Sequence, residues 1–230
     1  MQTHYLSVYE KSMPETLTFG EKLKTAVKAG FNGVEISVDE TDAKLERVLN
    51  KQTGKAIISE IRAAEIPVKT MCLSGQRKYP FGSRDAKIRQ KSFDIIKGAI
   101  DFSFDAGLRI IQLAGYDVYY EESGPDTEEM FIEGLRFAAE YAAQAGVLLG
   151  FETMETPFMN TAEKSMRFVK LINSPYLKVY PDLGNIRNGT DDYINDLKSA
   201  DGNILAIHVK DTKEGIYRNL RLGEGRVDFV

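Results

Sequence analysis

Three features of the sequence predict an α/β fold on a parallel sheet. Short β-branched runs alternate with longer stretches of helical period, three of those stretches close on an Ala-Gly pair just before a strand, and the units follow one another without a linker. Seven strand-like runs can be read: 4–10 (HYLSVYE), 33–38 (GVEISV), 68–73 (VKTMCL), 109–115 (RIIQLAG), 147–153 (VLLGFET), 177–182 (LKVYPD) and 204–210 (ILAIHVK). A closed barrel of this kind has eight strands and occupies about 250 residues. Seven runs in 230 residues therefore leave two architectures: an open seven-stranded sheet, or a TIM (β/α)8-type barrel whose C-terminal βα unit is missing from this chain. No low-complexity segment or composition shift divides residues 1–230, so one domain is expected.

The helical stretches carry their own boundary signals. Residues 17–30 end on Gly30, the usual residue for a left-handed cap, and 83–107 start at Ser83 and end on Gly107. Residues 126–146 have acids in the first turn, where they suit the helix dipole, and end on Gly146. Residues 161–173 and 190–200 each begin at a threonine that can cap.

Composition narrows the function. With 43% hydrophobic and 28% charged residues the chain has the balance of a soluble globular protein. Its formal net charge of -4 disfavours a broad phosphate-neutralising surface, so the expected partner is a small molecule, not nucleic acid. No run approaches the ~18 apolar residues needed to span a bilayer, and the start MQTHYLSVYEKSMP does not read as a signal peptide. The single cysteine, Cys72, cannot pair within the chain, which suits a reducing, cytoplasmic setting. No histidine lies near it in sequence, so it reads as a small buried hydrophobe.

In parallel βα folds the functional groups gather at the C-terminal ends of the strands. The fifth, sixth and seventh runs end in GFET, VYPDLGN and AIHVKD, placing Glu152, Asp182 and His208 at matching depth, 30 and 26 residues apart. Two carboxylates and an imidazole suit one divalent metal ion, Zn²⁺ or Mn²⁺, with Mg²⁺ fitting less well. An isolated histidine at a strand end is more often held by packing; two acids at equivalent strand ends favour a ligand. Glu35, toward the end of the second run, reads either as a substrate contact or as a solvated loop acid. Lys210 and Asp211 either touch substrate or solvate the turn. The tyrosines in GYDVYY (115–120) suit a pocket wall, a packed lid or a subunit contact.

Together, VYEKSMP, FNGVEISVDETD, MCLSGQRKYPFGS, RIIQLAGYDVYY, YPDLGN, HVKDTKEG and GEGRVDF resemble the L-ribulose-5-phosphate 3-epimerase family, also called L-xylulose-5-phosphate 3-epimerases, within the xylose-isomerase-like sugar phosphate isomerases and epimerases. The resemblance covers essentially the whole chain, and RIIQLAGYDVYY and HVKDTK are its most specific segments. It implies a TIM barrel that interconverts L-ribulose 5-phosphate and L-xylulose 5-phosphate in the breakdown of sugars such as L-ascorbate. It also implies a divalent metal held by a Glu, an Asp, a His and a second Glu. The first three fall on Glu152, Asp182 and His208. The second Glu belongs to an eighth strand beyond GEGRVDF, whereas this sequence ends at Val230.

The chemistry that the resemblance implies needs two groups. Epimerisation at C3 of a 2-ketose removes a proton that is acidic only once the C2 carbonyl is polarised, then returns one to the opposite face. The family's two glutamates serve as these bases. Glu152 falls on one of them, and its partner lies in the missing strand, so a shortened chain is expected to be impaired. The alternatives are a barrel that binds sugar phosphate or metal without turnover, and an aldose–ketose isomerase of the same superfamily. For the 5-phosphate the candidates are the LSGQ loop with Ser74, and the cations Lys11 and Lys210; Asn185 is placed to face the sugar. Apolar edges left by an incomplete barrel predict a homo-oligomer.

Overall fold

The computed structural model describes residues 5–229. Six strands form one parallel sheet in chain order: β1 (Ser7–Tyr9), β2 (Gly33–Ser37), β3 (Val68–Leu73), β4 (Ile110–Ala114), β5 (Leu148–Glu152) and β6 (Leu177–Tyr180). The second to sixth predicted runs match β2 to β6 to within two residues. The first, 4–10, overlaps β1; His4 lies outside the described residues, and the strand stops where Glu10–Ser12 tighten into a 3-10 turn.

The seventh run, 204–210, does not form a ladder strand. It follows β6 through two isolated parallel bridges, Val179 with Ile204 and Asp182 with His208. Between them falls Pro181, which has no N–H to donate, so the ladder is interrupted. No further strand among the described residues pairs the outer edge of this segment, and Ile207 and Val209 are 43% and 50% exposed.

Helices connect the strands: α1 (Phe19–Lys28), α2 (Asp42–Leu49), α3 (Lys51–Ala63), α4 (Ala86–Ala106), α5 (Pro125–Ala145), α6 (Ala162–Ile172), α7 (Leu183–Gly189) and α8 (Tyr193–Ser199). The β2–β3 crossover holds two helices for which no expectation was stated. Their signal is present in the sequence: Leu45, Ile58 and Ile61 are the buried apolar residues of amphipathic turns, and Asn50 caps α3 by accepting from the N–H groups of Gln52 and Thr53. Thr18 and Glu21 form a reciprocal capping box on α1. Gly107 and Gly146 adopt the left-handed conformation after α4 and α5, as predicted.

Two capping expectations change. Asp85, not Ser83, caps α4 through the Lys87 N–H, and Ser83 instead donates to Glu121. The last predicted helix begins at Tyr193, past Thr190, and makes no side-chain cap bond. Thr161 caps α6 as expected.

Along the strands the two faces have opposite chemistry. Val34, Ile36, Met71, Leu73, Ile111, Leu113, Leu149, Phe151 and Val179 are all nearly inaccessible and share one cluster with helix residues such as Leu23, Ile61, Ile95, Leu135 and Phe168. The alternate positions Glu35, Ser37, Cys72, Gln112, Glu152 and Tyr180 face the barrel interior, where Tyr180 meets Glu35, Gln112 meets Glu152 and Ser37 meets Tyr9. The period-two alternation of a strand thus separates the core from the chemistry.

The helix layer is tightly seated at Gly98 of α4, where an added Cβ would fall inside contact distance of the Val48 carbonyl oxygen. That oxygen belongs to the α2 backbone and cannot rotate away. Gly98→Ala is therefore expected to destabilise by about 1–3 kcal/mol despite the better helix propensity of alanine, read as a lower urea midpoint at unchanged m. No helix among the described residues is long and apolar enough to cross a membrane.

Candidate active site

The sheet brings three sequence-distant side chains to one place. Glu152 is the last residue of β5, Asp182 follows Pro181 at the end of β6, and His208 lies on the bridged segment beside it. One ligand atom from each lies within 4.8 Å of the other two. Two of these positions are set by local backbone bonds: the His208 N–H donates to the Pro181 carbonyl at 2.8 Å, and the Leu183 N–H to the His208 carbonyl at 3.1 Å.

Asp182 has two tasks. Its Oδ1 accepts the Asn185 N–H at 2.8 Å, which starts α7, and its Oδ2 lies 3.3 Å from Lys210 Nζ. Asn185 is buried and held on both sides, its Nδ2 donating to the Thr153 carbonyl at 2.6 Å and its Oδ1 accepting from Lys210 Nζ at 2.8 Å. Asn185 and Lys210 thus lie beside the trio. Ser74 opens the 3-10 turn Ser74–Arg77 after β3; no hydrogen bond among the described residues joins it to the trio. Lys11 is paired with Asp39 at 3.2 Å.

Glu35 is buried inside the barrel, 3% exposed, with Oε1 2.6 Å from His208 Nε2 and Oε2 accepting from the Tyr180 hydroxyl at 2.9 Å. The other ring nitrogen of His208, Nδ1, lies 2.7 Å from Glu152 Oε1. The second oxygen of Glu152 accepts from Gln112 Nε2 at 2.7 Å. Gln112 and Tyr180 received no role in the sequence reading. Both had a signal: a lone amide inside the apolar run IIQLAG, and a tyrosine two positions before Asp182, on the same face by strand alternation.

Acids outnumber bases at the site. Burial pushes the Asp182 carboxyl up to about 6; Glu152 adds to this, while Lys210 and His208 oppose it. Burial alone would lower the imidazole of His208, but Glu35 and Glu152 outweigh it and hold the ring proton well above the usual histidine range. Three carboxylates (Glu35, Glu152 and Asp182) thus face one imidazole and one ammonium. The mixed oxygen and nitrogen donors of Glu152, Asp182 and His208 fit a divalent ion, and its charge would offset the excess of acids.

The tyrosines that follow β4 pack on one another. Tyr116 is buried and donates to Glu155, which also meets Arg218 at 3.3 Å, while Tyr119 stacks edgewise on Tyr116 and on the exposed Tyr120, each at 4.8 Å between centroids. Cys72 is buried and its thiol is raised by desolvation and by Glu152 and Glu35, the setting of an inert thiol.

The family model described as "Xylose isomerase-like TIM barrel" matches residues 23–230. That match places the chain in the class of xylose isomerase-like barrels. The chain is 41% identical over 225 residues to L-ribulose-5-phosphate 3-epimerase UlaE of Escherichia coli (strain SMS-3-5 / SECEC), covering 97% of this chain and 79% of the relative. It accordingly belongs to the xylose isomerase-like TIM barrel family and, within it, to the L-ribulose-5-phosphate 3-epimerases.

Solved structures share the fold at lower identity. D-psicose 3-epimerase, crystallised in the presence of D-fructose, superposes with a TM-score of 0.77 at 18% identity over 97% of this chain and 77% of its own. The IOLI protein with a bound zinc atom gives 0.77 at 20% identity, over 98% and 81%.

Proposed function

We propose that this chain catalyses metal-dependent 3-epimerisation of a ketopentose 5-phosphate, interconverting L-ribulose 5-phosphate and L-xylulose 5-phosphate. The observation that carries this reading is the convergence of Glu152, Asp182 and His208 within 4.8 Å, in a chain 41% identical to proteins named for that reaction. Glu152, Asp182 and His208 would hold the ion, Zn²⁺ or Mn²⁺, which when bound supplies Lewis-acid polarisation of the C2 carbonyl.

The remaining work falls to side chains. Glu152, steadied by Gln112 on one oxygen, takes the C3 proton to leave an enediolate. The proton returned to the opposite face of C3 needs a second acid/base, which the family resemblance puts on a glutamate beyond the GEGRVDF turn and which no described residue is assigned to supply. Lys210, held by Asp182 and Asn185, offers a positive charge beside the oxygens that gain negative charge, and Asn185 orients the sugar. The 5-phosphate lies among the βα loops, where Ser74 is a candidate contact. The exposed apolar residues Ile207 and Val209 support self-association, and the substrate is a soluble sugar phosphate of the cytoplasm.

The test is incubation of L-ribulose 5-phosphate with the protein in D₂O, with Mn²⁺ or Zn²⁺ and after chelation. The expected result is L-xylulose 5-phosphate deuterated at C3, formed only with metal. An aldose product would replace this reading by a 1,2-isomerase. Absence of exchange in folded, metal-loaded protein would replace it by a binding barrel without turnover.

A further inference from the structure

We infer that Glu35 is the positioning residue of the site: from β2, it holds Nε2 of His208 so that Nδ1 faces the acid pair. The inference rests on the metal reading above and assigns Glu35 a role directed at His208, not at the sugar.

Geometry carries it. Glu35 and His208 are 173 residues apart in sequence, yet Glu35 Oε1 is 2.6 Å from Nε2 while Nδ1 is 2.7 Å from Glu152 Oε1. The two contacts fix the ring at both ends. Glu35 Oε2 is occupied by the Tyr180 hydroxyl at 2.9 Å, and the Tyr180 ring lies 4.8 Å from the His208 ring at 59°. Both oxygens of this 3%-exposed carboxylate are therefore engaged inside the protein, and neither is turned to a bound sugar.

Chemistry gives the contact its purpose. An imidazole offers a metal the nitrogen that lacks a proton, and the hydrogen bond at the other nitrogen decides which one that is. A carboxylate accepts only, so Glu35 keeps a proton on Nε2, and Nδ1, whose own proton goes to Glu152 in the metal-free site, is the nitrogen that would give up its proton to an ion held with Glu152 and Asp182. Apolar replacement removes the acceptor and frees the ring to adopt either tautomer and to turn. Outer contacts of this kind typically contribute about 10–100-fold in metal affinity.

The test uses the full chain and two readouts. Zinc is titrated calorimetrically into metal-free wild type, Glu35→Gln, Glu35→Leu and Tyr180→Phe, with thermal unfolding in metal-free buffer as the check on folding. The chain has two histidines, His4 and His208, so ¹⁵N-imidazole labelling with His4→Gln as the assignment control reports the His208 tautomer directly. The expected result is one zinc per wild-type chain with a hydrogen-bonded, slowly exchanging Nε2 proton. Affinity should fall roughly 10–100-fold in Glu35→Leu and by less in Glu35→Gln, whose amide oxygen still accepts. The protected proton should be lost in Glu35→Leu and kept in Tyr180→Phe.

Zinc binding within threefold of wild type in both folded Glu35 variants, with the Nε2 proton still protected, would overturn the assignment and leave the metal site standing. Failure of wild type itself to bind zinc or Mn²⁺ would overturn the metal reading, and with it this one. If Glu35→Leu does not fold, the Glu35→Gln affinity and tautomer decide.

Discussion

Glu152→Gln is expected to lower turnover by roughly 10²–10⁴-fold, the range for loss of a positioned acid/base group, while metal affinity falls much less. The amide keeps an oxygen for the metal but cannot take a proton from C3. Its NH₂ also meets a donor, because the two oxygens of Glu152 accept from Gln112 and face His208 at 2.7 Å each, so a modest loss of affinity is part of the expectation. Turnover by product analysis and metal binding by calorimetry, on the same preparation, separate the two effects. Normal turnover in Glu152→Gln would show that the base is another group.

The largest effect on stability is expected at Glu10, far from any role in the chemistry. This residue is 1% exposed and is met by three cations: Arg47 at 2.7 and 3.0 Å, Lys44, and Lys22 at 3.7 Å; it also accepts the Ser37 N–H at 2.9 Å. Arg47 in turn lies over the Phe19 ring, so the cluster ties β1 and β2 to α1 and α2. Glu10→Ala leaves Arg47, Lys44 and Lys22 without the anion they share in a buried setting, where breaking one partner of an ion pair costs about 3–5 kcal/mol. Urea unfolding measures it, and a loss under ~1 kcal/mol would mean that water reaches the cluster.

The pH dependence follows from the same group. Burial opposes ionisation of Glu10, but the hydrogen bonds and charge of Arg47, with Lys44, outweigh it and hold the carboxyl below its ordinary value. A depressed carboxylate contributes stability that is fully present above the unfolded value of about 4.3 and is lost as pH falls through the folded value. The stability gap between wild type and Glu10→Gln should therefore be constant near neutrality and shrink below about pH 4. A gap that widened on acidification would contradict the assignment.

How much could be read beforehand differs between elements. The strands β2 to β6 were legible because buried parallel strands are apolar on one face and short, and the glycine turns before them mark the ends. The bridged segment 204–208 was not, because its run of apolar residues has the look of a strand whether or not a neighbour is present to pair both edges. Ser83 looked like a cap, but Asp85 took the position while Ser83 bonded Glu121 across the loop. Glu35 is the sharper case. Its place at the end of a strand was plain, but sequence has no term for a contact with a residue 173 positions away.

By itself, then, the sequence determined the parallel βα architecture and the candidacy of Glu152, Asp182 and His208, since strand period and the depth of strand ends are local properties that repeat from unit to unit. Tertiary structure alone decided what those side chains meet: Glu35 behind His208, Gln112 behind Glu152, Lys210 and Asn185 beside Asp182. The physical reason is the way the sheet curls. Parallel strands place consecutive units side by side, which sequence spacing can anticipate, whereas contacts across the barrel interior depend on its curvature and on which rotamers fit a shared, nearly dry space.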